Sequence, residues 1–383
     1  MRGLWKRAVL IAAAVAGIVV AALILPSCST EAPAYKIGAV FTLTGGTAYW
    51  SENLQRGMDL ALEDENKPGV TPVKAIYEDV QGKAQLAASA FQKLNEIERV
   101  NLMLSVFTPV SQPLRPLAEA GEVPLLATVV SVRDFAKDSP WSFRDFLTQE
   151  QMAAPMGAYA VVKLNLKTAA SLVVNDDYGR DGTKAFSDAF QAHGGQWLGE
   201  ETFNQTDTDI RSQATKVASL QPQVILVVGR DQSLGLAIKQ LREARFQGQL
   251  ISVNCLDDPK VWEIAGTAAD GALFTSAFLD FSNNTAAREF SDKYHAKYGV
   301  DPDYVSAYGY TIAKYLAPLL RDAQGDRAKI REALAKLDAD SVRGHLQMNT
   351  NHDVLSPVSV YRVAQNQKQL VETPEQLLTL QGK

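Results

Sequence analysis

Hydroxyl, aromatic and other polar side chains recur in this chain at one kind of place, the point where a short apolar run ends. Thr44 and Trp50 follow the run 37–43, Thr108 and Ser111 the run 100–107, and Ser131 the run 123–127. Further along, Tyr178 follows 169–174, Arg230 follows 224–228 and Asn254 follows 250–253. Such groups can stack on, hydrogen-bond or neutralise a small molecule. The patterns that would turn binding into catalysis are missing. No Gly-x-Ser-x-Gly elbow sets a serine on a tight turn, and no Gly-rich dinucleotide loop or phosphate loop follows a strand. His193, His295, His345 and His352 show no metal-ligand spacing with one another or with Cys255. Asp176 and Asp177 are adjacent at a strand end, so their side chains point in different directions and do not converge on one proton or ion. The expectation is a binding protein with no catalytic residue, no metal and no cofactor.

The elements that must position these residues alternate strictly. Strands are expected at 37–43, 73–77, 100–107 and 123–127, with helices over 54–62, 86–94 and 114–120 between them. The rhythm resumes with helices over 152–164, 182–192, 210–220 and 234–244 and strands at 169–174, 224–228 and 250–253. Parallel strands need crossover helices, so two such runs predict an α/β chain with two doubly wound parallel-sheet lobes. Three helical patterns, 286–298, 304–320 and 328–337, come without strands between them and must pad an existing sheet, after which 358–363 reads as a strand. The chain is therefore expected to return to its first lobe, with residues 35–146 and 282–345 in one lobe, 147–281 and 346–375 in the other, and 376–383 as a tail. Crossings between the lobes would form a hinge. Ligands of open α/β sheets bind outside the carboxyl ends of the strands, which puts the polar residues above in a cleft between lobes. In LSVFTPVSQP, residues 104–113, Ser111 is expected to N-cap the helix at 114–120 with Pro113 in its first turn, leaving Thr108 to face the cleft.

The chain has 383 residues, 46% of them hydrophobic, and a net charge of -5 from 38 basic and 43 acidic residues without a basic cluster beyond the N-terminus. Nucleic acid is excluded as a partner, since phosphate binding needs a concentrated cationic footprint. Arg2, Lys6 and Arg7 precede an apolar run over 8–25, the order of an export signal. The run ends in Leu25-Pro26-Ser27-Cys28, which resembles a bacterial lipobox, so residues 1–28 are expected to be a lipoprotein signal with Cys28 lipidated, or else an uncleaved anchor. Residues 29–34 are a short polar spacer. Cys28 and Cys255 are the only cysteines, so the fold is expected to stand without disulfides.

A family resemblance rests on several motifs together. KIGAVFTLTGGTAYW from Lys36, YEDVQGKAQLAASAFQKL from Tyr77, VPLLATVVS from Val123, FRD at 143–145, DDYGRDG from Asp176, AYGYTIAKYL from Ala307 and SVYRV from Ser359 resemble, in order and spacing, the type I periplasmic solute-binding proteins. Within them the likeness is to the leucine/isoleucine/valine-binding and amide-binding branch. The resemblance implies that Thr108 and Ser131 hold a ligand carboxylate, that Trp50 walls the pocket and that Tyr178 closes over the ligand from the second lobe. Arg230 stands where that family often has an aromatic residue. Asn254 stands where amino-acid binders place a glutamate for the ligand ammonium, with Asp257 or Asp258 as substitutes on the same loop. The resemblance also implies the permease subunits of an ABC importer as partners, a tether to the membrane and an extracytoplasmic location. A sensor domain coupled to a membrane signalling partner is the alternative.

Overall fold

The computed structural model describes residues 34–45, 48–277 and 284–381. The segment 1–28, with Cys28, and the spacer up to residue 33 lie outside the described residues. The chain begins with β1 (Tyr35–Phe41), α1 (Ala48–Glu65), β2 (Val73–Asp79), α2 (Ala84–Gln92) and β3 (Leu102–Val106). It continues through α3 (Thr108–Ser111), α4 (Arg115–Ala120), β4 (Leu125–Thr128) and β5 (Ser142–Arg144). The five strands form a parallel sheet in the order β2-β1-β3-β4-β5. Ile37, Ala39 and Phe41 on one face of β1 pack with Leu54 and Met58 of α1, while Val40 on the other face packs with Met103, Phe91 and Leu114. Both faces are covered, which is why β1 reads as an unbroken apolar run.

A second unit follows with α5 (Gln149–Val162), β6 (Thr168–Val174), α6 (Asp177–Ala192), β7 (Gln196–Phe203), α7 (Arg211–Ser219), β8 (Val224–Val228), α8 (Asp231–Glu243), β9 (Gln249–Ser252), α9 (Pro259–Ala265) and β10 (Leu273–Ala277). The chain then supplies α10 (Thr285–Tyr298), α11 (Tyr304–Asp322) and α12 (Arg327–Leu334) to the first lobe. There α11 lies on α1 so closely that a Cβ at Gly57 would fall 2.0 Å from the Ser306 carbonyl oxygen, and one at Gly309 would fall 2.1 Å from that of Leu54. A small sheet of β11 (Asp338–Ser341), β12 (Gly344–Met348) and β13 (Val354–Leu355) comes next. Finally β14 (Val358–Ala364), β15 (Gln367–Glu372) and α13 (Pro374–Gln381) complete the second lobe, whose sheet runs β15-β14-β10-β9-β8-β6-β7. This sheet is parallel except at one edge, where β14 pairs antiparallel with β10 and β15.

The chain passes from the first sheet to the second at 145–148 and again at 356–357. The segments beside these crossings are tied together. The Arg144 guanidinium binds Asp353 at 2.8 Å, and Arg343 Nη2 reaches both oxygens of Asp145 at 2.8 Å. Arg343 and Asp145 are 0% and 1% exposed. Two such charges tolerate burial because they are paired, and because Arg343 also lies over the Tyr308 ring at 3.7 Å and Tyr315 donates to Asp145 at 2.9 Å.

Several expectations need correction. The lobe boundary placed between residues 345 and 346 falls inside β12, so the last crossing comes about ten residues later, where Leu355 gives way to Val358. Residues 376–381 are not a loose tail but most of α13. Ser111 is not an N-cap: the helical segment opens at Thr108, and the Ser111 hydroxyl is buried, accepting from Ser105 at 2.8 Å. Helix α6 starts five residues earlier than its apolar stripe, because Asp176 caps it by accepting from the Gly179 N–H at 3.1 Å.

Candidate functional site

The segments following β3, β4, β6, β8 and β9 meet around one cavity of about 410 Å³. Trp50, Thr108, Ser131, Tyr178, Arg230 and Asn254 all line it. On the first lobe, Phe107 and Val129 leave their strands with φ of 60° and 54°. Bulky residues are uncommon in this left-handed region, and holding one there costs on the order of 1–3 kcal/mol. The bends carry the chain sharply off the sheet into the cleft-lining segments 108–110 and 130–132. As the first residue of α3, Thr108 also carries an N–H that the helix itself cannot satisfy. Trp50 is held edge-on between Phe107 at 6.4 Å and Tyr304 at 5.7 Å between ring centroids. With Val110, Val132 and Phe146, the rings of Trp50 and Phe107 make the first-lobe side of the cavity mostly apolar.

The second-lobe wall is polar and interlocked. Tyr178 comes close to β6 because residue 179 is glycine: a Cβ there would fall 2.0 Å from the Val174 carbonyl oxygen. Its hydroxyl meets Asn254 Oδ1 at 3.1 Å and Cys255 Sγ at 2.9 Å. Burial, and then the nearby Cys255, push the Tyr178 phenol well above its ordinary pKa. Burial likewise pushes the Cys255 thiol up to about 11 against the pull of Arg230. Both groups are neutral around pH 7. Arg230 lies over the Tyr178 ring at 4.4 Å and binds Asp176 Oδ2 at 2.7 Å. Burial would lower the Arg230 pKa, but Asp176 together with Cys255 and Tyr178 outweighs it, and the guanidinium is held above its ordinary value. Asp177 also lines the cavity but binds a different arginine, Arg180 at 2.9 Å, so the two adjacent aspartates do diverge.

Of the two loop carboxylates left open as substitutes for a glutamate, Asp257 is committed elsewhere. It accepts from Ser276 at 2.6 Å and from Lys368 at 2.8 and 2.9 Å, and it does not line the cavity. Asp258 does line it, while one of its oxygens accepts from the Lys260 N–H at 2.9 Å. Phe107, Phe146, Cys255 and Asp176 also line the cavity; the sequence had shown Phe107 and Cys255 only as apolar-run and unpaired residues. A larger groove of about 930 Å³ runs along α11, α12 and β11, but no residue that follows a strand of the two large sheets lines it.

Residues 34–368 match the sequence profile of a family described as periplasmic binding protein. A Leu/Ile/Val-binding protein homolog from Brucella melitensis is 26% identical over 296 residues, 76% of this chain and 78% of its own length. A leucine-binding protein from Thermotoga maritima has a similar fold, with a TM-score of 0.80 and 24% identity over 89% of this chain and 99% of that one. So does an ABC transporter solute-binding protein from R. palustris in complex with benzoate, at 0.78 and 20% identity over 89% and 96% of the two chains. With two sheets, the crossings that join them and a match spanning nearly the whole folded part, the chain belongs to the periplasmic binding proteins of type I fold, solute-binding proteins that work outside the cytoplasm.

Proposed function

We propose that this chain is the solute-binding component of an ABC importer, tethered to the membrane through lipidated Cys28, and that it takes a small carboxylic acid with an aromatic or aliphatic body into the interlobe cleft without transforming it. One observation carries this reading: Arg230 is the only cationic side chain among the described residues lining the cavity, and it is fixed over Tyr178 opposite an apolar aromatic wall. Thr108 and Ser131 from the first lobe and Arg230 from the second are assigned the ligand carboxylate, Trp50 and Phe107 its body, and Tyr178 and Asn254 the remaining second-lobe contacts. A binding partner with a rigid apolar body and one anionic end fits such a lining. The benzoate bound by the R. palustris neighbour is a molecule of this class.

A second reading is favoured by Asp258. Its carboxylate faces the cavity and would pair with the ammonium of a branched-chain amino acid, the ligand class in the name of the Brucella relative. Titration calorimetry and thermal shift with benzoate, 4-hydroxybenzoate, leucine and isoleucine separate the two. A ligand at 100 times its Kd stabilises the native state by about 2.7 kcal/mol. The aromatic acids should raise the melting temperature, and Arg230→Met should weaken them by about tenfold or more. Unchanged benzoate affinity in Arg230→Met would remove Arg230 from the site. Tight leucine or isoleucine binding that Asp258→Asn abolishes would establish the second reading instead.

A further inference from the structure

A smaller polar chamber of about 210 Å³ shares Ser131 with the main cavity and is lined by Arg144, Thr148 and Asp353 beside the crossings. Gln149 lines this chamber at the first turn of α5. Its side chain is placed by its neighbours. Thr148 and Gln151 form a reciprocal capping box that fixes the start of the helix, with hydrogen bonds of 3.1 and 2.8 Å. The absence of a Cβ at Gly182 leaves the room the amide occupies, since one there would approach Gln149 Oε1 to 3.1 Å. Gln149 is 2% exposed, yet neither its amide nitrogen nor its amide oxygen makes a hydrogen bond. The amide neighbours the Tyr178 hydroxyl, and a hydrogen-bonding interaction with it pulls the phenol's pKa down, although no bond of ordinary length and angle closes. A buried amide with both functions unpaired is costly, and it is the arrangement expected of a group that awaits a ligand. Two of the chamber's other charged groups are paired: Arg144 holds Asp353 at 2.8 Å, and across the lobes Asp181 takes the Arg133 N–H at 3.0 Å, while Asp134, Glu150 and Asn351 complete its polar lining.

We infer that Gln149 is a specificity-determining residue, and that the ligand is a monocarboxylate carrying a second, neutral hydrogen-bonding substituent, a hydroxyl, oxo or carboxamide group, that enters the hinge chamber past Ser131. An amide offers both a donor and an acceptor, so it matches a neutral polar group and gives no charge pairing to an ammonium or a second carboxylate. A site built around such a buried pair rejects the analogue that leaves it unpaired. This rests on the carboxylate reading of the cleft proposed above.

The test uses two matched pairs measured by calorimetry on the mature protein: benzoate with 4-hydroxybenzoate, and 4-methylpentanoate with 2-hydroxy-4-methylpentanoate. The hydroxylated member of at least one pair should bind about tenfold more tightly. Gln149→Leu should erase that preference while leaving the unsubstituted acid within about twofold. Gln149→Met, closer in shape, provides the same comparison if the leucine variant misfolds. No preference in the native protein, or an equal loss for both members in the variants, overturns the inference while the carboxylate reading stands. If no acid of either pair binds the native protein, both fall together.

Discussion

Arg230 and Asp176 show how much of the cleft's chemistry is decided one side chain at a time. Asp176 does two things: one oxygen caps α6 and the other holds Arg230. Asparagine would keep the cap, because an amide oxygen accepts from the Gly179 N–H as well as a carboxylate does. It would remove a negative charge from beside the guanidinium. The pair is more than a third exposed on both sides, so its loss should lower the melting temperature little. Asp176→Asn is therefore expected to raise benzoate affinity by roughly fivefold, about 1 kcal/mol of relieved repulsion, with the gain shrinking in high salt. A weaker benzoate complex would instead mean that Asp176 serves chiefly to hold Arg230 in place. Arg230 could be picked out from its position after an apolar run. Its attachment to Asp176 could not, because the partners are 54 residues apart and come together only when β6 and β8 pair. The same limit applies to Asp257 and Asp258, neighbours in sequence of which one faces the cavity and the other a lysine from β15.

At the level of elements, the junction of α1 and α11 depends on two reciprocal glycines. In an isolated helix Gly309→Ala would be favourable by about 1 kcal/mol. Here the added methyl would meet the Leu54 carbonyl at 2.1 Å, and backbone cannot step aside as a side chain can. Gly309→Ala is expected to destabilise the protein by about 1–3 kcal/mol, read as a lower urea midpoint at constant slope. A rise in the midpoint would show that the helices separate without cost. Elements buried on both faces, such as β1, β8 and the apolar face of α11, could be read directly from their runs and periodicity. β7 could not: QWLGEETF is mostly half-exposed edge strand, and its pairing with β6 rather than its composition makes it a strand. β11 and β12 escaped for the same reason. A serine before a proline and a helix satisfies the capping pattern locally, but Ser111 is not the cap, because the strained Phe107 takes the N-cap position four residues sooner.

Across the whole molecule, the first lobe is closed by contacts between the chain's two distant parts. Asp64 binds Lys293 at 2.7 Å, and Glu65 binds Lys314 and, at 3.2 Å, Arg321. Burial alone would raise the Glu65 pKa, but the hydrogen bonds and charges of Lys314 and Arg321 outweigh it and hold the carboxylate below its ordinary value of 4.5; Asp64 is lowered likewise. A carboxylate whose folded pKa is depressed adds stability above its unfolded pKa and loses it as pH falls through the folded one. The melting temperature should accordingly drop as pH falls below about 4.5, and Glu65→Gln should flatten that part of the profile while lowering the plateau near pH 7. An unchanged profile would mean the pair contributes nothing to the closure of the lobe. The sequence by itself determined the two βα runs, the return of the chain to its first lobe and the set of strand ends at which polar residues cluster, because periodicity and burial are local properties of short segments. Only the tertiary structure decided which of those polar residues share a cavity, which carboxylates are already paired, and that the Gln149 amide is buried at the hinge with no hydrogen bond of ordinary geometry. Those facts depend on distances between segments far apart in the chain, fixed by sheet order and helix packing.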